Sequence, residues 1–129
     1  MTRRGERVVL DSAGEKHVER FADGAALLAR APAGAWHELS ITALGPRLSI
    51  VINGELYSET FDLDPAHAAA RGALALQLHA GPPMKVEFRD LVLRELAPSS
   101  EALPPSAYSA SSEPRSAWSV AGDPHWIWP

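Results

Sequence analysis

The sequence contains no cysteine, which excludes disulfides, thiolate catalysis and zinc sites built on Cys. No apolar run approaches the ~20 residues that a bilayer-spanning helix needs. The opening MTRRGERVVLDSAGE also lacks the apolar stretch of a secretory signal. A basic run is missing as well. Twelve Lys and Arg stand against sixteen Asp and Glu, giving a formal charge of −4, so no surface stripe neutralises successive phosphates and nucleic acid is not an expected partner.

What is present is a series of short alternating segments. Glu6 to Leu10 and Glu15 to Phe21 flank Asp11-Ser12-Ala13-Gly14, turn residues that predict a hairpin. Asp23 is placed to cap a short helix from Gly24 to Arg30, and Pro32 prevents that helix from continuing. From Trp36 the period becomes two: Leu39, Ile41 and Ala43 alternate with Glu38, Ser40 and Thr42. Gly45-Pro46 turns the chain into Leu48, Ile50 and Ile52. Asn53-Gly54 then suits a type I′ turn, in which both central residues take positive φ. The return strand, Glu55 to Phe61, has two possible registers that put Leu56 and Tyr57 on opposite faces.

Asp64-Pro65 predicts a second short helical turn closed by Gly72. Asp62 and Asp64 also suit calcium, although Asp beside Pro more often caps a helix. Ala73 to His79 reads as a strand with a row of leucines on one face, and Met84 to Leu96 as another beyond Gly81-Pro82-Pro83. About seven strands with little helix imply an all-β fold, an antiparallel β-sandwich or jelly roll.

After Leu96 the composition turns to Ala, Pro, Ser and Glu, too poor in apolar residues to offset the entropy of ordering. Residues 1–96 are therefore set apart as the domain and 97–116 as a linker. Residues 117–129, carrying three tryptophans, form a disordered tail or the truncated start of a further module.

The segment GALALQLHAGPPMKVEFR, residues 72–89, closely resembles the C-terminal signature of the 3-keto-disaccharide hydrolase family, a concanavalin A-like jelly roll. RGERVVLDSAGEK, GAWHELSITALGPRLSIVINGEL and FDLDP resemble earlier strands of that family in the same order, so the likeness runs from Arg4 to Leu96. In the family RGERVV lies well inside the domain, which implies a sandwich truncated at its N-terminus. The resemblance further implies an extracytoplasmic setting, a 3-keto-sugar ligand and fusion to other domains in a parent protein.

The implied activity is cleavage of glycosidic bonds in 3-keto-glycosides. A C3 ketone acidifies the C2 proton, so the reaction calls for a base, an acid and a group that polarises the ketone. It calls for no cofactor. If Ala73 to His79 pairs with Met84 to Asp90, then Gln77, His79, Lys85, Glu87 and Arg89 share a face. His79, Gln77 and Lys85 are then the catalytic candidates, with Glu87, Arg89 and Trp36 as substrate-binding candidates.

Blander readings stand beside these. Lys85 and Glu87 fit a solvated strand face, Arg89 an ion pair across strands, and Trp36 either the core or a platform for a sugar ring. His37 and His67 read as surface residues and His17 as part of a polar hairpin; their spacing offers no metal site. The alternatives to an enzyme are a non-catalytic carbohydrate-binding module, which the same fold hosts as readily, and a spacer domain suited to the Pro/Ser linker.

Overall fold

A computed structural model of the protein describes residues 2–66, 72–76, 81–97 and 117–127. Among the described residues the fold is all-β with one short helix, in keeping with the expected β-sandwich. The strands are β1 (Glu6–Leu10), β2 (Lys16–Arg20), β3 (Leu39–Leu44), β4 (Arg47–Ile52), β5 (Glu55–Asp62), β6 (Lys85–Leu96) and β7 (Ala117–Ile127). Helix α1 spans Gly24–Arg30. The strands lie in one sheet, in the order β2-β1-β5-β4-β3-β7-β6.

Local turn chemistry sets the hairpins. Asp11 accepts from the N–H groups of Ala13 and Glu15, both at 2.9 Å, which closes the β1–β2 turn. Asn53 and Gly54 take φ of 52° and 79°, the paired positive values of a type I′ turn between β4 and β5. Two residues along the return strand the register shifts, because β5 carries an extra residue, Tyr57, between Leu56 and Ser58. That residue is buried, and its hydroxyl donates to the Leu27 carbonyl at 2.6 Å, tying α1 to the sheet. The helix itself starts at Asp23, whose carboxylate accepts from Ala25 N–H at 3.1 Å.

Three features differ from the sequence reading. First, β1 pairs with β5 in parallel, while the other pairs are antiparallel. A long connection through β2, α1, β3 and β4 separates the two strands, and no turn constrains their direction. Second, Gly72–Leu76 is not strand, and Leu74 and Leu76 are exposed. Alternation makes a strand only where a neighbour satisfies its backbone groups, and here β6 pairs with β7. Residues 77–80 lie outside the described residues. Third, where composition suggests a tail or a new module, residues 117–127 pair as β7 between β3 and β6.

Cross-strand pairs divide the sheet into two faces. One carries Arg7, Glu19, Arg47, Ser49 and Glu59, with Val9, Phe61 and Leu63 forming a buried apolar cluster beside them. The buried Glu59 carboxylate accepts from Arg7 Nε at 2.6 Å and from Arg47 Nε at 2.7 Å. The hydrogen bond to Glu59, stronger than the cost of burial, raises the pKa of Arg7. The other face is apolar, with Val8, Leu48 and Ile50 beside Ser58 and Thr60. Cavities of about 750 and 330 Å³ open on it.

Candidate functional site

The candidate site forms where the loop before β3 meets β6. Two consecutive residues of that loop, His37 and Glu38, are held by Asn53 of the β4–β5 turn. The main chains of Asn53 and Glu38 bond through Asn53 N–H to Glu38 O at 2.9 Å. The Asn53 side-chain oxygen accepts from Glu38 N–H at 3.0 Å. This fixes the orientation of the amide, so its Nδ2 is the atom 3.1 Å from His37 Nδ1. An NH₂ group only donates, hence Nδ1 accepts and the imidazole proton sits on Nε2, which donates to Pro32 O at 2.8 Å. His37 is buried, at 4 % exposure. Its expected surface position is corrected: both ring nitrogens find partners, so desolvation leaves neither unsatisfied.

Trp36, the residue before this clamp, is 41 % exposed and so is not a core residue. The Arg89 guanidinium lies over its ring, 4.2 Å from the centroid, in cation–π geometry. A bulge brings Arg89 to this place. The β6–β7 register shifts between Arg89 and Val92, and Asp90 takes a φ of 53°. Across the ladder Thr42 pairs with Ser119, and Ser119 with Arg94. The extra residue in the bulge reverses the alternation, so Lys85, Glu87 and Arg89 fall on the Arg94 face, which is that of Ser49 and Glu59.

On this strand Lys85 Nζ and Glu87 Oε2 form an ion pair at 3.0 Å, with the Lys85 side chain largely in solvent and that of Glu87 partly buried. Arg89 also reaches Asp90 at 3.7 Å. Trp36 and Arg89 are thus in contact, as are Lys85 and Glu87. Gln77 and His79 lie outside the described residues, as does His67. No group of three or more His, Cys, Asp or Glu suited to a metal occurs among the described residues. Asp64 instead accepts from Ala66 N–H at 2.8 Å, a turn-closing bond.

Residues 11–94 match the family described as the 3-keto-alpha-glucoside-1,2-lyase-like domain. The chain belongs to this family. No curated protein and no solved structure matches it. The matched part of the lyase-like domain includes Trp36, Lys85, Glu87 and Arg89 together with Gln77 and His79. Among the described residues no helix is long and apolar enough to cross a membrane.

Two arrangements in this lyase-like domain were not evident from residue types. One is the His37–Asn53 clamp; Asn53 was recognisable as a turn residue, but its side-chain partners come from the loop before β3. The other is His17 Nε2 at 2.8 Å from Asp11 Oδ2. That hydrogen bond is the chief cause of a lowered pKa at Asp11, followed by the backbone bond from Glu15. The hairpin register was the available signal, since β2 returns His17 beside the start of the turn.

Proposed function

We propose that this lyase-like domain binds 3-keto-glycosides on the Lys85–Glu87–Arg89 face of β6 and serves their cleavage by elimination. In that chemistry a base removes the C2 proton made acidic by the C3 ketone. The electron pair forms the enediolate, the C1–O bond breaks, and the departing oxygen takes a proton. Water then adds across C1 and C2 to give the free 3-keto-sugar. The observation that carries the reading is the Arg89 guanidinium, seated on Trp36 within the family-matched segment. A planar cation with several donors suits a ketone oxygen on which negative charge develops.

In this proposal Lys85, held by Glu87, supplies a second cation and the proton for the leaving oxygen. His79 is the base and Gln77 a hydrogen-bonding partner of the sugar. The unit proposed to carry this function is the sheet with β7 included, residues 97–116 being the connection from β6 to β7, with fusion partners in the parent protein.

A second reading, non-catalytic carbohydrate binding, draws support from the exposure of Lys85, 65 % for its side chain. Proton transfer benefits from a site that excludes water, and this ion pair is open to it. Incubation of the chain with a 3-keto-α-glucoside disaccharide separates the two. Release of free 3-keto-sugar, followed by mass spectrometry, supports the lyase reading; saturable binding with the disaccharide intact supports the binding module. Absence of both overturns the assignment of this face to sugars.

A further inference from the structure

We infer that His37 and Asn53 are positioning residues that hold the Trp36–Arg89 pair in place, and that the proton inventory of His37 controls this hold. The inference rests on the reading of the β6 face as the sugar site and adds its control. They act through Trp36, which adjoins His37 in the chain and carries Arg89 at 4.2 Å.

The argument is one of hydrogen-bond polarity. Asn53 Oδ1 is taken by Glu38 N–H, so Nδ2 must face His37 Nδ1. Neutral imidazole meets it with a lone pair, and Nε2–H meets the Pro32 carbonyl. A proton added at Nδ1 sets two donors against each other 3.1 Å apart. Flipping the amide does not relieve this, because it turns Nδ2 onto Glu38 N–H. The clamp therefore holds with neutral His37 and opens with imidazolium. Burial of the ring at 4 % exposure makes the unmet donor costly.

The charged groups around the clamp come from each adjoining element. Glu38 follows His37 in the chain. Arg30 at the end of α1 and Glu55 at the start of β5 form an ion pair with each other. Arg89 lies beyond Trp36. The Arg30–Glu55 pair joins the same two flanks that the clamp joins, α1 with its Pro32 loop and the turn with β5, so opening the clamp need not unfold the hairpin.

Two substitutions separate positioning from folding. Asn53→Gly keeps a residue that accepts the φ of 52° while removing both side-chain bonds. Asn53→Asp keeps the acceptor for Glu38 N–H but presents oxygen to Nδ1, which then needs a proton. With side-chain NMR reading the Trp36 indole and His37 nitrogens, wild type is expected to lose the ordered Trp36 environment on acidification. Asn53→Gly loses it at neutral pH, and Asn53→Asp shows the reverse pH profile, ordered in acid and loosened as His37 deprotonates.

Affinity for a 3-keto-α-glucoside disaccharide should follow the same order. At neutral pH Asn53→Gly should bind roughly tenfold or more weakly, as expected from two lost hydrogen bonds. An Asn53→Asp profile that parallels wild type, or a Trp36 signal that ignores both variants, overturns the positioning role. If the Trp36 signal behaves as expected but the sugar binds to none of the proteins, the clamp stands and the sugar-site reading fails.

Discussion

The Arg89 guanidinium lies 4.2 Å from the centre of the Trp36 ring, joining the loop before β3 to the edge strand β6. On the proposed function this contact sets where a ketone oxygen meets positive charge. Arg89→Ala is expected to lower kcat/KM for a 3-keto-α-glucoside by roughly a hundredfold, the scale for one electrostatic stabiliser. Arg89→Lys should recover only part of this, since a lysine keeps the charge over the ring but not the planar donor fork. Steady-state kinetics on the two variants test the point, and equal activity of Arg89→Ala and wild type contradicts it.

Glu59 is a stability element on the same face. Its buried carboxylate balances Arg7 and Arg47, each held through Nε. Glu59→Gln removes the charge and leaves two guanidinium groups close together without it. A loss of about 2–3 kcal/mol in urea unfolding is expected, below the range for deeply buried pairs because both arginines retain some contact with water.

Tyr57 should make the protein sensitive to alkali. Burial is the main cause of its raised pKa, with Glu55 adding to it. A phenol whose folded pKa exceeds its unfolded value adds stability below the unfolded pKa, and that stability is lost as pH rises through the folded one. Tyr57→Phe should lose about 1 kcal/mol at neutral pH with the bond to Leu27 O. It should also show a flatter stability profile above the usual tyrosine range, checked by chemical denaturation at a series of pH values.

Asp11 gives the opposite limb. Its folded pKa is depressed by His17 and by the N–H groups of the turn. The stability it contributes is therefore present above the unfolded pKa and disappears as pH falls through the folded one. Asp11→Asn should weaken the acid dependence below the usual aspartate range, and His17→Gln should weaken it in part. An unchanged acid limb in Asp11→Asn contradicts the assignment.

Two glycines with similar positive φ should respond very differently to alanine. At Gly5 a Cβ would stand 2.2 Å from the Ala22 carbonyl oxygen, whereas at Gly54 it would meet nothing within 4 Å. Gly54→Ala should cost only the left-handed strain, about 1 kcal/mol. Gly5→Ala must also displace backbone, at a cost of several kcal/mol on the order expected for a buried clash. Thermal unfolding of the pair distinguishes strain from collision.

Much of the fold was legible because it depends on neighbours in sequence. The β1–β2 hairpin, the Asp23 cap and the Asn53-Gly54 turn each follow from the side chains and backbone preferences of a few adjacent residues. The alternation from Leu39 to Phe61 likewise announced three strands, and the segment ending at Arg89 resembled the family to which the chain belongs. For β5 the sequence left two registers open. Tyr57 decided between them by entering the strand as an extra residue, packing under α1 and bonding to Leu27.

The site was legible as residue types but not as an arrangement. Lys85, Glu87 and Arg89 alternate in the sequence, yet their face of the sheet depends on the bulge before Val92, which reverses the alternation relative to Arg94. His37 looked like a surface residue because Asn53 reaches it only once β4 has paired with β3, and its bond to Pro32 within its own loop depends on the path of that loop. The sequence by itself determined the all-β character, the turns and the chemical groups on offer, since period and φ preference are local properties. Only the tertiary structure decided the parallel pairing of β1 with β5, the burial of His37 and the placement of Arg89 on Trp36, because each depends on which distant backbone and side-chain groups satisfy one another.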